Sequence, residues 1–336
     1  MDLSIIIVNF NSSDLIGNCI RSIYRYLGNP AGNNDDALKK GRIKAGRLSW
    51  EIIIADNGSK DGGIEFIRGK ISETKDGAIH IIELEKNTGF AKAANKAAAF
   101  ATGKYLLFIN PDCELIGEGL EKIADFYVEK DAAVKAGALG VQILNGDGSI
   151  QYSCRAFPKL EFQLYDALFL SGLFRRSRKY GAYFMTWWDH LHTMEVDWIS
   201  GAFLFISKEV FNDAGHFCEQ YFMYSEDTEL CLKLKKKGYT NYYYADYQVR
   251  HLDGAVASRN MSLREAQVWK SRKIYFAKNL GWFHGQLLSF LYFKYTVNRL
   301  IAYSLLWFLN FKGKKRLYKN RALVCSNAIR LYFSGI

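Results

Sequence analysis

Short runs of Ile, Val and Leu recur through the first third of the chain, and each stops abruptly at Asn or Asp. The segments "LSIIIVNFN" (3–11), "WEIIIADNGSKDGG" (50–63), "AIHIIELEKN" (78–87) and "KYLLFINPD" (104–112) are too continuously apolar for strands with one wet face. Helical stretches separate them. One is capped by Ser12 or Ser13 and runs to about Leu27; another is the Ala-rich "GFAKAANKAAAFATG", closed by Gly103. Buried strands alternating with helices predict an α/β fold, a mostly parallel central sheet with helices on both faces. The Gly-, Asn- and Lys-rich stretch 28–49 is much longer than an ordinary connection and is expected to be a mobile surface insertion.

Beyond residue 136 the pattern becomes mixed α+β. "GALGVQIL" (137–144) reads as a strand, and 156–195 is irregular and dense in Phe, Tyr and Trp. "VDWISGAFLFISKEVF" (196–211) predicts a buried strand leading into a helix. "SEDTELCLKLKKKG" (225–238) predicts a helix capped by Ser225, with acids in its first turn. "NYYYADYQVRH" (241–251) reads as a late pair of strands, and everything after Ser262 as helix.

Charge changes the picture at the far end. Residues 259–336 hold fifteen Lys and Arg against one acid, Glu265, whereas the whole chain carries a formal +11, so the first 258 residues are slightly acidic. The basic residues flank the aromatic stretch "LLSFLYFKYTVNRLIAYSLLWFLNF", an accompaniment that fits an anionic membrane surface and not nucleic acid. Lys294 and Arg299 in mid-segment argue against a spanning helix. An interfacial amphipathic helix or a helix pair packed on the preceding domain both remain open. Six cysteines without C-x-x-C spacing point to reduced thiols and no zinc site. The opening "MDLSIIIVNFN" does not read as a signal peptide.

In parallel sheets, ligands bind beyond the carboxyl ends of the strands. Those ends carry Asn9 and Asn11, Asp56 and Asn57, Asn87, then Asn110 and Asp112, a polar rim along one edge. No G-x-G-x-x-G follows the first strand and no P-loop occurs, so dinucleotide and P-loop chemistry lose their main support. Asp112, set by a proline turn, suits a divalent cation bridging two phosphates, and oxygen ligands favour Mg²⁺ or Mn²⁺. Glu226 and Asp227 open a helix after aromatics, and His251 ends a strand before a small-residue turn.

Seven segments in order, "LSIIIVNFN", "IIIADNGSKDGG", "LEKNTGFAKAANKA", "YLLFINPD", "VDWISGAFLFISKEVF", "FMYSEDTELCLKLKKKGY" and "HLDG", resemble family 2 glycosyltransferases of the GT-A fold. The likeness is closest to the rhamnosyltransferase-like members of bacterial surface polysaccharide synthesis and covers roughly Leu3 to Ser258.

The resemblance implies an inverting transferase with a nucleotide-diphosphate sugar donor and a glycan or polyprenyl-linked oligosaccharide acceptor. A dTDP-rhamnose donor is favoured, with UDP-sugars open. It implies a catalytic domain over 1–258 (nucleotide half about 1–115, acceptor half about 116–258) followed by the basic helical region 259–336. The expected location is the cytoplasm, peripheral at the inner face of the cell membrane. Asp56 would take the imide N–H of the base, and Asn9 and Asn11 would line base and ribose. Asn57, Asn87, Gly89, Asn95 and Asn110 would approach the nucleotide or donor sugar. Asp112 and His251 would hold the metal. Asp227 would be the general base, with Glu226 beside it.

Three departures stand out. The first acid of the family's D-x-D element is Asn110, "GHFCEQ" replaces the usual "GGFD", and Glu229 stands where a second Asp is common. A nucleotidyltransferase would want a Gly-rich basic loop after the first strand, which "NFNSSDLIGN" lacks. A non-catalytic carbohydrate-binding scaffold at the membrane is the other alternative.

Overall fold

The computed structural model describes residues 1–27, 48–74, 78–252 and 261–334. Most of the stretch 28–49 and the turn after His251 therefore lie outside the described residues.

The apolar runs form strands as expected: β1 (Leu3–Asn9), β2 (Trp50–Asp56), β3 (Ile79–Glu83) and β4 (Tyr105–Ile109). They pair in parallel, β1 in register with β2 from Leu3–Trp50 to Asn9–Asp56 and with β4 from Leu3–Tyr105 to Ile6–Phe108. The Ile, Leu and Phe side chains of β1, β2 and β4 are almost completely buried, while those of the edge strand β3 are half-buried. The helices between them are α1 (Ser13–Leu27), α2 (Gly63–Thr74) and α3 (Phe90–Phe100). The carbonyl of Ser12 starts α1 by accepting from Leu15 and Ile16, while its hydroxyl donates back to Asn9.

Helix α3 stops at Phe100, three residues before Gly103. Gly103 is therefore not the helix stop that the sequence suggests. A Cβ there would lie 2.6 Å from the backbone nitrogen of Ser4, so Gly103 is small because β4 starts against β1. Its N–H donates to Ser4 Oγ (2.8 Å), which itself donates to Glu51 (2.6 Å). Gly103→Ala must push β1 and β4 apart at this point. The expected cost is about 1–3 kcal/mol, read as a lower urea midpoint with unchanged slope.

The second half continues the same sheet with β5 (Cys113–Leu115), β6 (Ala136–Leu144), β7 (Ile150–Gln151), β9 (Met194–Val196), β11 (Phe203–Ser207) and β12 (Thr240–His251), while β8 (Cys154–Arg155) and β10 (Trp198–Ile199) pair antiparallel as a separate two-stranded sheet. Among the described residues the strand order is β3-β2-β1-β4-β11-β6-β12-β5. Strand β11 runs antiparallel to β4, so the sheet turns from parallel to mixed where the pattern of the sequence also changes. The segment 241–251 is one long strand rather than a pair. A register shift between Tyr244 and Gln248 lets it pair with β6 along its length, with β9 early and with β5 at its end. The helices of this half are α4 (Leu120–Val134), α5 (Leu160–Ala167), α6 (Leu170–Leu173), α7 (Lys208–Asp213) and α8 (Glu226–Lys236).

The chain separates into two compact units. One comprises Met1–Arg155, Asp189–Glu219 and Glu226–Val256; the other comprises Ala156–Trp188, Gln220–Ser225 and Ala257–Ile336. The second unit contains α9 (Met261–Leu280), α10 (Trp282–Phe308) and α11 (Lys315–Phe333). The division thus differs from a single boundary at residue 258, because 156–188 packs with the late helices. Arg272 of α9 donates to Gln163 Oε1 (3.0 Å) and Tyr183 Oη (2.8 Å), and Asn298 of α10 donates to the Ala167 carbonyl (3.4 Å). Among the described residues no helix is long and apolar enough to cross a membrane.

Candidate active site

The rim residues come together, but several of them act on one another. Asn9 is completely buried. Its amide donates to Asp56 Oδ1 (2.8 Å) and Ser59 Oγ (3.1 Å) and accepts from Ser12 (2.6 Å). It fixes Asp56 and does not face outward. Asn11 takes a left-handed backbone (φ 49°), where Asn is tolerated, and its side chain accepts from the Lys60 N–H (2.9 Å). Asp56 also accepts from the Ser59 N–H (3.0 Å), so its carboxylate is held from both sides at the end of β2.

Asn57 ties the next loop. Its amide donates to Asn87 Oδ1 (2.9 Å) and the Gly89 carbonyl (3.1 Å) and accepts from the Thr88 N–H (2.8 Å), while Asn87 Oδ1 accepts from the Gly89 N–H (3.0 Å). Gly89 has φ 87° and ψ 167°, a conformation that strains any side chain, and it opens α3. Asn95, one turn into that helix, bonds to Phe217 N–H and carbonyl (3.0 and 2.9 Å) and to Glu219 (3.1 Å). It anchors the 217–219 loop.

At the far end of β4, Asp112 Oδ1 lies 3.1 Å from His251 Nε2. The two meet because β5 pairs with the end of β12, setting His251 opposite Cys113, and because the Leu252 N–H donates to the Asp112 carbonyl (3.0 Å). Gln151 Oε1 stands 2.8 Å from His251 Nδ1. With Nδ1 donating to Gln151, Nε2 would be left to face Asp112 as a ligand, the arrangement of a metal-ligating imidazole. Asn110 Nδ2 is 3.5 Å from the same Nε2, so the residue replacing the first acid of the family motif still faces this pair. Cys113 lies near but does not belong. It is buried, its Sγ donates to the Ala202 carbonyl (3.3 Å), and burial first, then Asp112, pushes its thiol well above the ordinary range. The carboxylate and imidazole would suit a hard divalent cation.

Gln151→Ala should free the imidazole to turn and weaken Mn²⁺ binding about 10–100-fold, with Gln151→Glu recovering part of it. Electron paramagnetic resonance titration of free Mn²⁺ measures this without turnover.

Asp227 begins α8 behind two left-handed residues, Tyr224 and Ser225 (φ 69° each). Ser225 is therefore not in the extended conformation of an ordinary capping serine. The Asp227 carboxylate accepts from the Gly201 N–H (3.0 Å) and the Thr228 N–H (2.6 Å). Burial raises its pKa, opposed by those two hydrogen bonds and by the Arg155 guanidinium. Glu226 is deeper, and its Oε2 meets no described hydrogen-bond partner. Burial, then the Asp227 charge, holds its carboxyl well above the usual carboxylate range. Acids in the first turn and Lys233, Lys235 and Lys236 in the last complement the helix dipole.

One short loop joins these parts. Gly201 donates to Asp227, and the carbonyl of the next residue, Ala202, accepts from the Asn110 N–H (3.1 Å), two residues before Asp112. A Cβ on Gly201 would lie 3.9 Å from Phe90, which follows Gly89. Consecutive peptide units thus hold the helix-borne acid and the strand-borne acid, with the Asn87–Gly89 loop beside them. Ser59, Gln151, Arg155, Gly201 and Thr228 were not among the residues marked by sequence. Gln151, Arg155 and Gly201 act on residues far along the chain, Ser59 bridges Asp56 to the distant Asn9, and Thr228 bonds its neighbour Asp227; only the small-residue break "SGA" between two apolar runs hints at Gly201.

A sheet turning from parallel to mixed, with buried acids at its carboxyl rim, is a fold of GT-A type. The family model for glycosyl transferase family 2 matches residues 4–188, and the chain belongs to that family; it is a glycosyltransferase. The match contains Asp56 and Asp112 and ends before Glu226, Asp227 and His251.

Relatives include N-acetylglucosaminyl-diphospho-decaprenol L-rhamnosyltransferase of Mycobacterium tuberculosis (strain CDC 1551 / Oshkosh), 27% identical over 250 residues, covering 70% of this chain and 78% of the relative. Rhamnosyltransferase WbbL of Escherichia coli (strain K12) is 28% identical over 239 residues, covering 65% and 79%. Among solved structures, the mannosyltransferase PcManGT from Pyrobaculum calidifontis, in complex with GDP-Man and Mn²⁺, shares the fold. Its TM-score is 0.54 at 15% identity, covering 98% of this chain and 86% of that one.

Proposed function

We propose that the protein transfers L-rhamnose from dTDP-rhamnose, with inversion, to a hydroxyl of a polyprenyl-diphosphate-linked saccharide. The rhamnosyltransferase relatives, one named for a decaprenol-linked substrate, support the sugar and the acceptor class. The observation that carries the chemistry is the Gly201–Ala202 loop, which ties Asp227 to the Asp112 turn.

Asp227 accepts the proton of the acceptor hydroxyl as its oxygen forms the new bond to the anomeric carbon. The bond from that carbon to the diphosphate breaks on the opposite face, and dTDP leaves with the electron pair. Asp56, held by Asn9 and Ser59, receives the thymine imide N–H, and the Asn57–Asn87–Gly89 loop shapes the donor pocket. Asp112 and His251 would hold Mg²⁺ or Mn²⁺, with Gln151 orienting the imidazole. A cation so held supplies Lewis-acid stabilisation of charge on the departing diphosphate. Burial and the neighbouring Asp227 charge favour the protonated form of Glu226, so that Asp227 carries the base role of the pair. The protein works at the cytoplasmic face of the membrane, a location that the basic composition of 259–336 supports.

A panel of dTDP-, UDP- and GDP-sugars with Mg²⁺ or Mn²⁺ tests the reading. Nucleoside diphosphate release is expected from dTDP-rhamnose, and faster with a polyprenyl-linked acceptor. Release from another donor alone would overturn the sugar; neither release nor donor binding would overturn the reading.

A further inference from the structure

The segment 164–179 is unexplained by the transfer chemistry. It runs from the end of α5 through α6 into "RRSRK" (175–179), and no Asp or Glu occurs between 167 and 188. Its apolar side chains point outward: Leu168 is 54% exposed, Phe169 49%, Leu173 75% and Phe174 47%. Phe169 joins the two short helices in a left-handed conformation (φ 59°), a backbone that a bulky side chain adopts only under constraint.

The cations that follow are held in a built turn. Thr186 Oγ1 donates to the Arg175 carbonyl (2.5 Å), the Gly181 N–H donates to the Ser177 carbonyl (2.8 Å), and Ser177 Oγ accepts from Lys179 and Tyr180. A Cβ at Gly181 would lie 2.2 Å from the Arg175 oxygen, so the turn closes tightly there. Arg178 lies over the Trp187 ring (4.8 Å) and Lys179 over the Tyr180 ring (5.4 Å), contacts that leave both cations charged and without a carboxylate partner among the described residues. Arg272 and Asn298 fasten the base of the segment to α9 and α10.

We propose that 164–179 is a preformed membrane-docking wedge. Leu168, Phe169, Leu173 and Phe174 enter the headgroup–acyl boundary, and Arg175, Arg176, Arg178 and Lys179 meet anionic headgroups. Adjacent apolar and cationic groups are what an anionic lipid surface complements. Charge argues against a second copy as occupant: the same unit carries fifteen Lys and Arg against one acid over 259–336, and like would face like. A turn already locked loses little freedom on docking. The proposal rests on the membrane location above and names where the contact is made, in a stretch separate from the basic tail.

Flotation with phosphatidylcholine vesicles, with and without phosphatidylglycerol, tests it on the full chain. The comparison uses wild type, Arg175→Gln/Arg176→Gln, Leu173→Ser, and the tail variant Lys314→Gln/Lys315→Gln. Each lost cation should weaken binding to the anionic vesicles roughly fivefold at low salt, so the double loop variant falls about 30-fold. A Leu173→Trp variant should gain quenching by brominated lipids beyond that of the native tryptophans. Donor cleavage by Leu173→Ser in the absence of vesicles should equal wild type.

Wild-type flotation unchanged by the loop variants, with loss confined to the tail variant, would overturn the wedge and leave the membrane location standing. No flotation of wild type would overturn both. A dimer abolished by Leu173→Ser, without vesicle binding, would assign the face to a second copy and overturn the proposal. Loss of donor cleavage in every preparation would instead count against the transferase reading, separately from lipid binding.

Discussion

Asp227→Asn is expected to cut transfer by about 10²–10⁴-fold while leaving donor binding near wild type, the loss associated with removing a general base. Isothermal titration with dTDP-rhamnose and initial rates with acceptor separate the two effects. The pH profile carries a second signature. Burial raises the Asp227 pKa above the ordinary aspartate range of about 3.9, in spite of the Gly201 and Thr228 N–H groups. The carboxylate is the active form, so the rate is full at high pH and falls as pH drops through that raised value. An acid limb at an unshifted aspartate position, or substantial turnover by the Asn variant, would remove Asp227 from the role.

Glu226 gives the stability counterpart. Its folded pKa lies well above the unfolded value, mainly through burial, so the folded state binds the proton more tightly than the unfolded chain. Its contribution is most favourable below the unfolded pKa and is lost as pH rises through the folded one. Because Oε2 has no described partner, Glu226→Gln forfeits no described hydrogen bond of that oxygen. The variant should therefore melt at a higher temperature than wild type at pH 8, with the difference vanishing in acid. An equal melting temperature at both pH values would show that Glu226 is not strained by burial.

The strands were legible because parallel strands covered on both faces leave short, β-branched apolar runs bounded by polar stops, too short for buried helices. The polar stops were legible for the same reason. What each stop does was not. Asn9 and Asp56 look alike as strand ends, yet Asn9 sits under Asp56 as its support, a distinction made by pairing across 47 residues. Gly103 was read through local helix rules, whereas its constraint comes from Ser4, on a strand about a hundred residues earlier. Gln151 carries no local mark, and Gly201 only the small-residue break around it, since a hydrogen bond to His251 or Asp227 depends on strand order. Residues 156–188 have only short helices, too few turns for a period to emerge, and their partners are the late helices. Sequence therefore marks which residues reach the rim, and topology decides which of them hold the others.

Asp112→Ala is expected to have the other large effect, and Asn110 is the reason. In a two-acid motif the loss of one carboxylate leaves another. Here Asn110 occupies the first position, with its amide 3.5 Å from His251 Nε2, so removing Asp112 leaves the imidazole as the single described ionisable ligand beside it apart from the neutral, buried Cys113. Mn²⁺ binding should weaken by more than about 100-fold, exceeding the loss from Gln151→Ala, which merely lets the ring turn. Metal-dependent turnover should fall at least as far.

The reverse substitution tests the same logic in the opposite direction. Asn110→Asp brings a second carboxylate to the pair and should tighten Mn²⁺ binding. In chelator it should also lower the melting temperature, because two acids then face each other without a cation between them. Binding unchanged by both substitutions, measured by Mn²⁺ resonance titration, would move the cation away from this turn. Wild-type turnover persisting in chelator would mean that the diphosphate charge is met by protein cations instead. Tighter metal binding with a weakened metal-free fold would establish that Asn110 lowers cation affinity in exchange for a site that is stable when empty.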